Sequence, residues 1–193
     1  VLFFNAFAGD ETRAERIVSA AMAKDPDVIV FAESRAVGPA LAQLKDRYEV
    51  LPGCSPESCE VLVAVKRKPV RFWTLQLNPV FEARYAFAEL ETPSGKRVAL
   101  AASQSVKPWF TGGAEAEREK IAAQYRWITG PVVAVGDFNA PPWSRPMRLL
   151  LHKTGMRGLR RPVATWPAGL GRFGLPIDQI LVRGGARVVH AER

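Results

Sequence analysis

The sequence predicts an α/β domain in which two sheets pack face to face and helices cover their outer surfaces. Three observations carry this. The chain opens strand–helix–strand, its middle holds four strand-like runs in succession, and two later helical patterns flank another apolar strand. Two sheets sharing one core, with helices outside each, satisfy that order. With 193 residues, 48% of them hydrophobic, the chain reads as a single domain over 1–193 that can bury a sizeable core.

Residues 1–5 and 27–32 are short, apolar and β-rich, and so read as buried strands. Between them, 10–24 places Ile17, Ala20, Ala21 and Lys24 at helical spacing, with acids in the first turn and Pro26 as the stop. A strand–helix–strand unit of this kind favours parallel neighbours. Residues 38–47 predict a second short helix. Four strand-like runs follow at 59–65, 70–77, 81–90 and 97–103, punctuated by Pro69, Asn78-Pro79 and Pro93-Ser94-Gly95. In the third run Glu82, Arg84 and Glu89 break an otherwise apolar stretch. The spacing predicts an antiparallel meander. A polar-faced helix over 114–128, a strand over 131–135 and a helix over about 144–153 come next. Beyond a Gly/Pro-rich region, 177–182 and 186–190 read as closing strands.

Net charge is +8, and the excess is confined to the C-terminal part. Up to Asp137 the chain carries 17 basic and 17 acidic side chains; from Phe138 onward ten basic residues face only Asp178 and Glu192. A one-sided basic face suits nucleic acid or an anionic lipid surface, although a merely high pI gives the same count. The Arg157–Arg161 stretch is the first candidate for a polyanion contact. Lys66-Arg67-Lys68 reads as a solvated turn. No apolar run approaches the ~18 residues of a membrane span, and the start lacks a basic-then-apolar signal pattern. Because it opens on Val1 inside an apolar run, the chain is expected to be a processed or trimmed piece. Cys54 and Cys59 are its only cysteines. With His152 and His190 far off, they do not make a four-ligand zinc site. Either a small disulfide across the Pro56 turn or two free thiols fits them, the disulfide requiring an oxidising compartment.

Five predicted strands end in polar residues: Asn5, Glu33, Gln104-Ser105, Gly136-Asp137-Phe138-Asn139 and Ile177-Asp178-Gln179. Strand ends form binding rims in α/β folds. A single Asp or Asn there is commonly a turn or cap; five such ends are a different matter. If they converge, three carboxylates (Glu33, Asp137, Asp178) and two amides (Asn5, Asn139) meet. Oxygen donors of that kind suit a hard cation such as Mg²⁺. A further carboxylate can deprotonate a water while an amide donates to a phosphate oxygen.

Asn5 in Phe4-Asn5-Ala6, Glu33 closing Val28-Ile29-Val30-Phe31-Ala32-Glu33, Gly136-Asp137-Phe138-Asn139 and Pro176-Ile177-Asp178 stand in one order along the chain. In that order they resemble the endonuclease/exonuclease/phosphatase superfamily, the deoxyribonuclease I-like and exonuclease III-like group. The resemblance implies a four-layer α/β/β/α sandwich of two packed mixed sheets with outer helices. It also implies Mg²⁺- or Mn²⁺-dependent cleavage of phosphoester bonds. Lys107-Pro108-Trp109-Phe110, Pro142-Trp143-Ser144 and Thr165-Trp166-Pro167 look like a compact bacterial subgroup. Its members often follow N-terminal membrane helices and face outside the cytoplasm, which implies an extracytoplasmic, periplasmic placement.

Carried over by position, Glu33 is the expected principal metal ligand, with Asn5 and Asp178 nearby. Asp137 is expected to orient or activate the attacking water, and Asn139 to bind the scissile phosphate. Lys107, Trp109, Arg160 and Arg161 are the expected substrate contacts, with Trp109, Phe110, Trp143 and Trp166 either lining the rim or simply packing. The family completes its site with two histidines, and at those positions this chain has Gln104 and Gln179. Glutamine can donate a hydrogen bond to a phosphate oxygen but cannot carry a positive charge or pass a proton near pH 7. General acid–base help is typically worth ~10²–10⁴ in rate.

Two functions follow as expectations. One is a metal-dependent phosphoester hydrolase of phosphodiesterase, nuclease or phosphatase type, attenuated at Gln104 and Gln179. The other is a degenerate domain that binds a phosphorylated ligand, nucleic acid or lipid head group. A monomer is expected, and no protein partner is inferable. The chain is short for the family, so large substrate-gripping insertions are not expected, which points to a small or flexible phosphoester.

Overall fold

The computed structural model describes residues 1–7, 9–51, 53–54, 58–110 and 113–193. The expected turn at Pro56 lies outside them. Nine strands form two sheets among the described residues. The first has the order β1 (Leu2–Asn5), β2 (Val28–Ala32), β4 (Val61–Val65), β3 (Glu49–Val50). The second runs β5 (Arg71–Leu75), β6 (Tyr85–Glu91), β7 (Arg97–Gln104), β8 (Val132–Asp137), β9 (Asp178–Arg183). Both are mixed: β1 with β2 and β7 with β8 are parallel, and the other pairs antiparallel.

Side chains alternate across a strand, and here that alternation sorts residues into layers. Val28 and Val30 of β2 with Val61, Val63 and Val65 of β4 meet Ala86, Ala88, Leu100, Ala102 and Val135 from the opposite sheet. The intervening Ile29, Phe31, Leu62 and Ala64 point the other way. They pack on α1 (Ala14–Ala23) and the 3₁₀ segment Ser34–Leu44. On the far side, Phe87, Ala99, Ala101, Ala134 and Leu181 pack on α2 (Gly113–Trp127) and α3 (Arg145–Thr154) through Ile121, Tyr125, Met147 and Leu150. The result is the four-layer α/β/β/α sandwich. None of the described helices is long and apolar enough to cross a membrane.

Local signals explain the helix ends. Ser144 caps α3 by accepting from Met147 N–H at 3.4 Å, Pro146 sits in its first turn, and Gly155 closes it at φ 66°. The helix expected over 38–47 is instead a 3₁₀ segment at Ser34–Leu44. It starts directly after Glu33, and Pro39 inside it has no N–H for an α-helical bond.

Three other expectations are corrected. The run at 59–65 does not join the meander. As β4, buried on both faces, it pairs with β2 in the first sheet, and only β5, β6 and β7 form the meander. The strand expected from 81 begins at Tyr85, because residues 82 and 83 receive N–H groups from Glu60 and Val61. Residues 186–190 form no strand: Arg157 already bonds both ways with Val182 on the outer edge of β9. Cys54 and Cys59 are joined in a disulfide with Cα atoms 5.4 Å apart, so the free-thiol alternative does not hold.

Candidate active site

Asn5 ends β1 opposite Ala32, which places Asn5 and the next residue of the neighbouring strand, Glu33, at one end of the first sheet. In the second sheet Gln104 lies opposite Asp137, and Asp137 opposite Asp178, so three polar residues form one row across β7, β8 and β9. Gly136 permits that row. A Cβ there would sit 2.1 Å from Ser103 O, a backbone atom that cannot yield. β1 lies against β8, and the two strand ends meet.

The contact is a hydrogen-bonded cluster. The Asn5 amide nitrogen donates to Glu33 Oε1 at 3.2 Å and to Asp137 Oδ2 at 3.1 Å. Gln104 Nε2 donates to the same Glu33 oxygen at 3.3 Å. The Asn139 backbone N–H donates to Asp137 Oδ1 at 2.8 Å, and its side-chain amide to Ser105 O at 2.8 Å. Glu33 at φ 52° and Asn139 at φ 48° are both left-handed. That conformation is strained for a glutamate and tolerated by asparagine, and such strain gathers at functional sites.

Electrostatics separate the carboxylates. Burial pushes the Asp137 carboxyl up to about 7, helped by the Asp178 charge and, less strongly, Glu33; the N–H groups of Asn139 and Asn5 pull it partly back. Burial raises Asp178 too, with Glu33 adding to the shift, while Thr165 and the Arg193 charge oppose it. Asp178 Oδ1 is buried and has no hydrogen-bond partner among the described residues. Among those residues no three His, Cys, Asp or Glu side chains form a ready-made cation cage. Mg²⁺ does not demand one, since it usually takes one or two carboxylates and keeps several waters. The all-oxygen donors of Glu33, Asn5 and Asp178, with one buried oxygen unpaired, fit such a cation.

A supporting layer was missed from sequence. Buried Glu117 on α2 accepts the Val106 N–H at 2.7 Å, bonds Asn78 and lies 3.6 Å from the Arg84 guanidinium, which fixes the chain just beyond Gln104. Arg84 O receives the Gln104 N–H at 2.9 Å. Buried Glu60, its carboxyl raised chiefly by burial, pairs with Arg35 at 3.2 Å. Ser34 Oγ donates to Cys59 O at 2.7 Å, which steadies the turn after Glu33. One signal was available: Arg84 interrupts an apolar run.

The remaining predicted residues sit outside the cluster. Gln179, whose Cα partner is Gly136, donates to Ala140 O at 2.6 Å. Lys107 and Trp109 are exposed beyond β7, with Lys107 Nζ 5.6 Å from the indole centroid. Arg160 and Arg161 are exposed in the loop after α3. Lys66, Arg67 and Lys68 are exposed between β4 and β5, and Lys66 pairs there with Asp25 at 2.8 Å.

Two packed mixed sheets with helices outside, and carboxylates and amides gathered where strands of both sheets end, define the deoxyribonuclease I-like fold. The chain belongs to the Endonuclease/Exonuclease/phosphatase family, whose sequence model matches residues 1–193; this is a family of phosphoester hydrolases. Sequence comparison with curated proteins finds no match. Among solved structures, it is similar to sphingomyelinase C from Streptomyces griseocarneus, with TM-score 0.72 and 20% identity over 97% of this chain and 84% of that one. D. rerio TDP2 complexed with a single-strand DNA product gives TM-score 0.76 at 14% identity, over 94% and 82% of the two chains. A mutant of beta toxin from Staphylococcus aureus with bound magnesium ions gives 0.68 at 14% identity, over 93% and 82%.

Proposed function

We propose that this chain is a metal-assisted phosphoester hydrolase whose turnover is attenuated by Gln104 and Gln179. The observation that carries the reading is the row Gln104, Asp137, Asp178 closed against Asn5 and Glu33. Glu33, Asn5 and Asp178 are the residues to hold Mg²⁺ or Mn²⁺, which when bound supplies positive charge to a phosphoryl oxygen. Asp137, buried beside Glu33 and Asp178 and held by the Asn5 and Asn139 N–H groups, is placed to take a proton from water. Asn139, whose backbone N–H is fixed on Asp137, would turn its amide from Ser105 O toward the phosphate. Gln104 can donate a hydrogen bond but leaves the proton transfers to Asp137 and water. The similar proteins named above support a substrate in the class of nucleic-acid or lipid-head-group phosphoesters. An extracytoplasmic placement accords with the Cys54–Cys59 disulfide. We read the chain as one domain acting as a monomer.

One observation favours the second reading, a domain that binds phosphorylated ligands without turnover. Gln179 is buried and spends its amide on Ala140 O, a structural contact. An assay of an aryl phosphodiester and an aryl phosphomonoester decides between the two. Hydrolysis of either that stops with a chelator and returns with Mg²⁺ or Mn²⁺ supports the enzyme. Hydrolysis of neither leaves the binding domain.

A further inference from the structure

Between α3 and β9 the chain makes a closed loop over residues 166–175. Trp166 and Leu175 exchange backbone hydrogen bonds at its neck, at 3.0 and 2.5 Å. Its base is tied to the site, because Asp178 N–H donates to Thr165 Oγ1 at 3.2 Å. Its tip, the 3₁₀ turn Ala168–Phe173, is held from behind by Arg193, which donates to Ala168 O at 2.7 Å and Gly171 O at 3.4 Å. A cavity of about 520 Å³ lies beside it, lined in part by Trp143, Pro162, Arg172 and Arg193.

This tethered loop exposes what a protein surface ordinarily covers. Trp166 is 54% exposed, Leu170 55%, Phe173 77% and Leu175 41%. Such a cluster of exposed apolar side chains marks an interaction surface. No acidic residue occurs between Phe138 and Ile177, while Arg160, Arg161 and Arg172 are all exposed there. The partner is therefore anionic and apolar together. Nucleic acid meets less of that description: Trp166 offers a ring for a base, but Leu170 and Leu175 do not, and the Arg172 guanidinium already lies 5.0 Å from the Phe173 centroid. A bilayer interface meets both halves, as apolar side chains enter the boundary between head groups and acyl chains while guanidinium groups stay with the phosphates.

We propose that residues 160–175 dock the protein on an anionic phospholipid surface, tip first, bringing the carboxylate cluster at the loop's base toward the head groups. The test is sedimentation with phosphatidylcholine vesicles with and without phosphatidylglycerol. It needs no turnover and stands apart from the catalytic reading. The protein sediments with the anionic vesicles and much less with phosphatidylcholine alone. The paired change Leu170→Ser and Phe173→Ser, at exposed positions the fold does not need, lowers binding at least tenfold. Arg160→Gln and Arg161→Gln lower it about fivefold each, and added salt weakens it. Trp127→Ser, an exposed apolar position on α2, leaves it unchanged. Failure of the parent protein to sediment, survival of binding in the Leu170/Phe173 variant, or an equal loss in Trp127→Ser overturns the proposal. So does a single-stranded oligonucleotide that binds the Leu170/Phe173 variant as well as the parent and displaces the parent from vesicles.

Discussion

The Asn5 amide nitrogen stands 3.1 Å from Asp137 Oδ2 and 3.2 Å from Glu33 Oε1, so one side chain joins carboxylates carried by two different sheets. Without it, two acidic groups at the sheet junction lose a shared donor. Asn5→Ala is expected to cost ~1–3 kcal/mol, the range for hydrogen bonds to charged groups in partly buried settings. Urea denaturation at neutral pH reads this directly, and a change below ~0.5 kcal/mol, the size of an ordinary surface substitution, contradicts the bridge.

The Asp137 shift gives a pH dependence whose sign is fixed. Folded, its carboxyl holds a proton up to about 7, whereas its ordinary value is 3.8. Between those values unfolding releases that proton, so stability falls as pH rises through the window and the loss is complete above the upper value. Asp178 moves the same way. In chelator-treated protein the drop is expected to be about 2–4 kcal/mol, and Asp137→Asn reduces it to the share that Asp178 carries. A stability that rises over that range instead contradicts the assignment.

Gly136→Ala tests how closely β7 and β8 must approach. The added methyl meets Ser103 O, a backbone atom inside a paired ladder, so the strands must separate where Gln104 and Asp137 face each other. A loss of ~3 kcal/mol or more, or failure to yield folded protein, is expected. Wild-type stability in this variant contradicts the register described here.

Gln104→His and Gln179→His test the proposed attenuation. The pair together is expected to raise the rate by ~10²–10⁴, and either alone by less, because cooperating acid–base groups act as a unit. A steady-state assay that finds the double variant no faster places the limit elsewhere.

Much of this candidate cluster is legible in the sequence because its residues occupy strand ends, where polar side chains interrupt apolar runs and local pattern suffices. Asn5, Glu33, Asp137 and Asp178 are candidates on that ground, and the fold brings them together. The partnership of Arg84 with Glu117 is not legible, since nothing local says that a helical glutamate facing inward meets a guanidinium from the residue just before β6. β4 was assigned to the wrong sheet for a related reason: a strand buried on both faces fits equally well beside either neighbour. Residues 186–190 have strand composition, but the edge they needed was taken by Arg157, a competition that only tertiary structure reveals.

The most direct test of the central claim compares the parent protein with Glu33→Ala, following aryl phosphodiester hydrolysis and thermal stability as Mn²⁺ is added. The account predicts Mn²⁺-dependent hydrolysis and a melting temperature that rises with Mn²⁺ by mass action, both lost in Glu33→Ala. Equal responses from the two proteins contradict it.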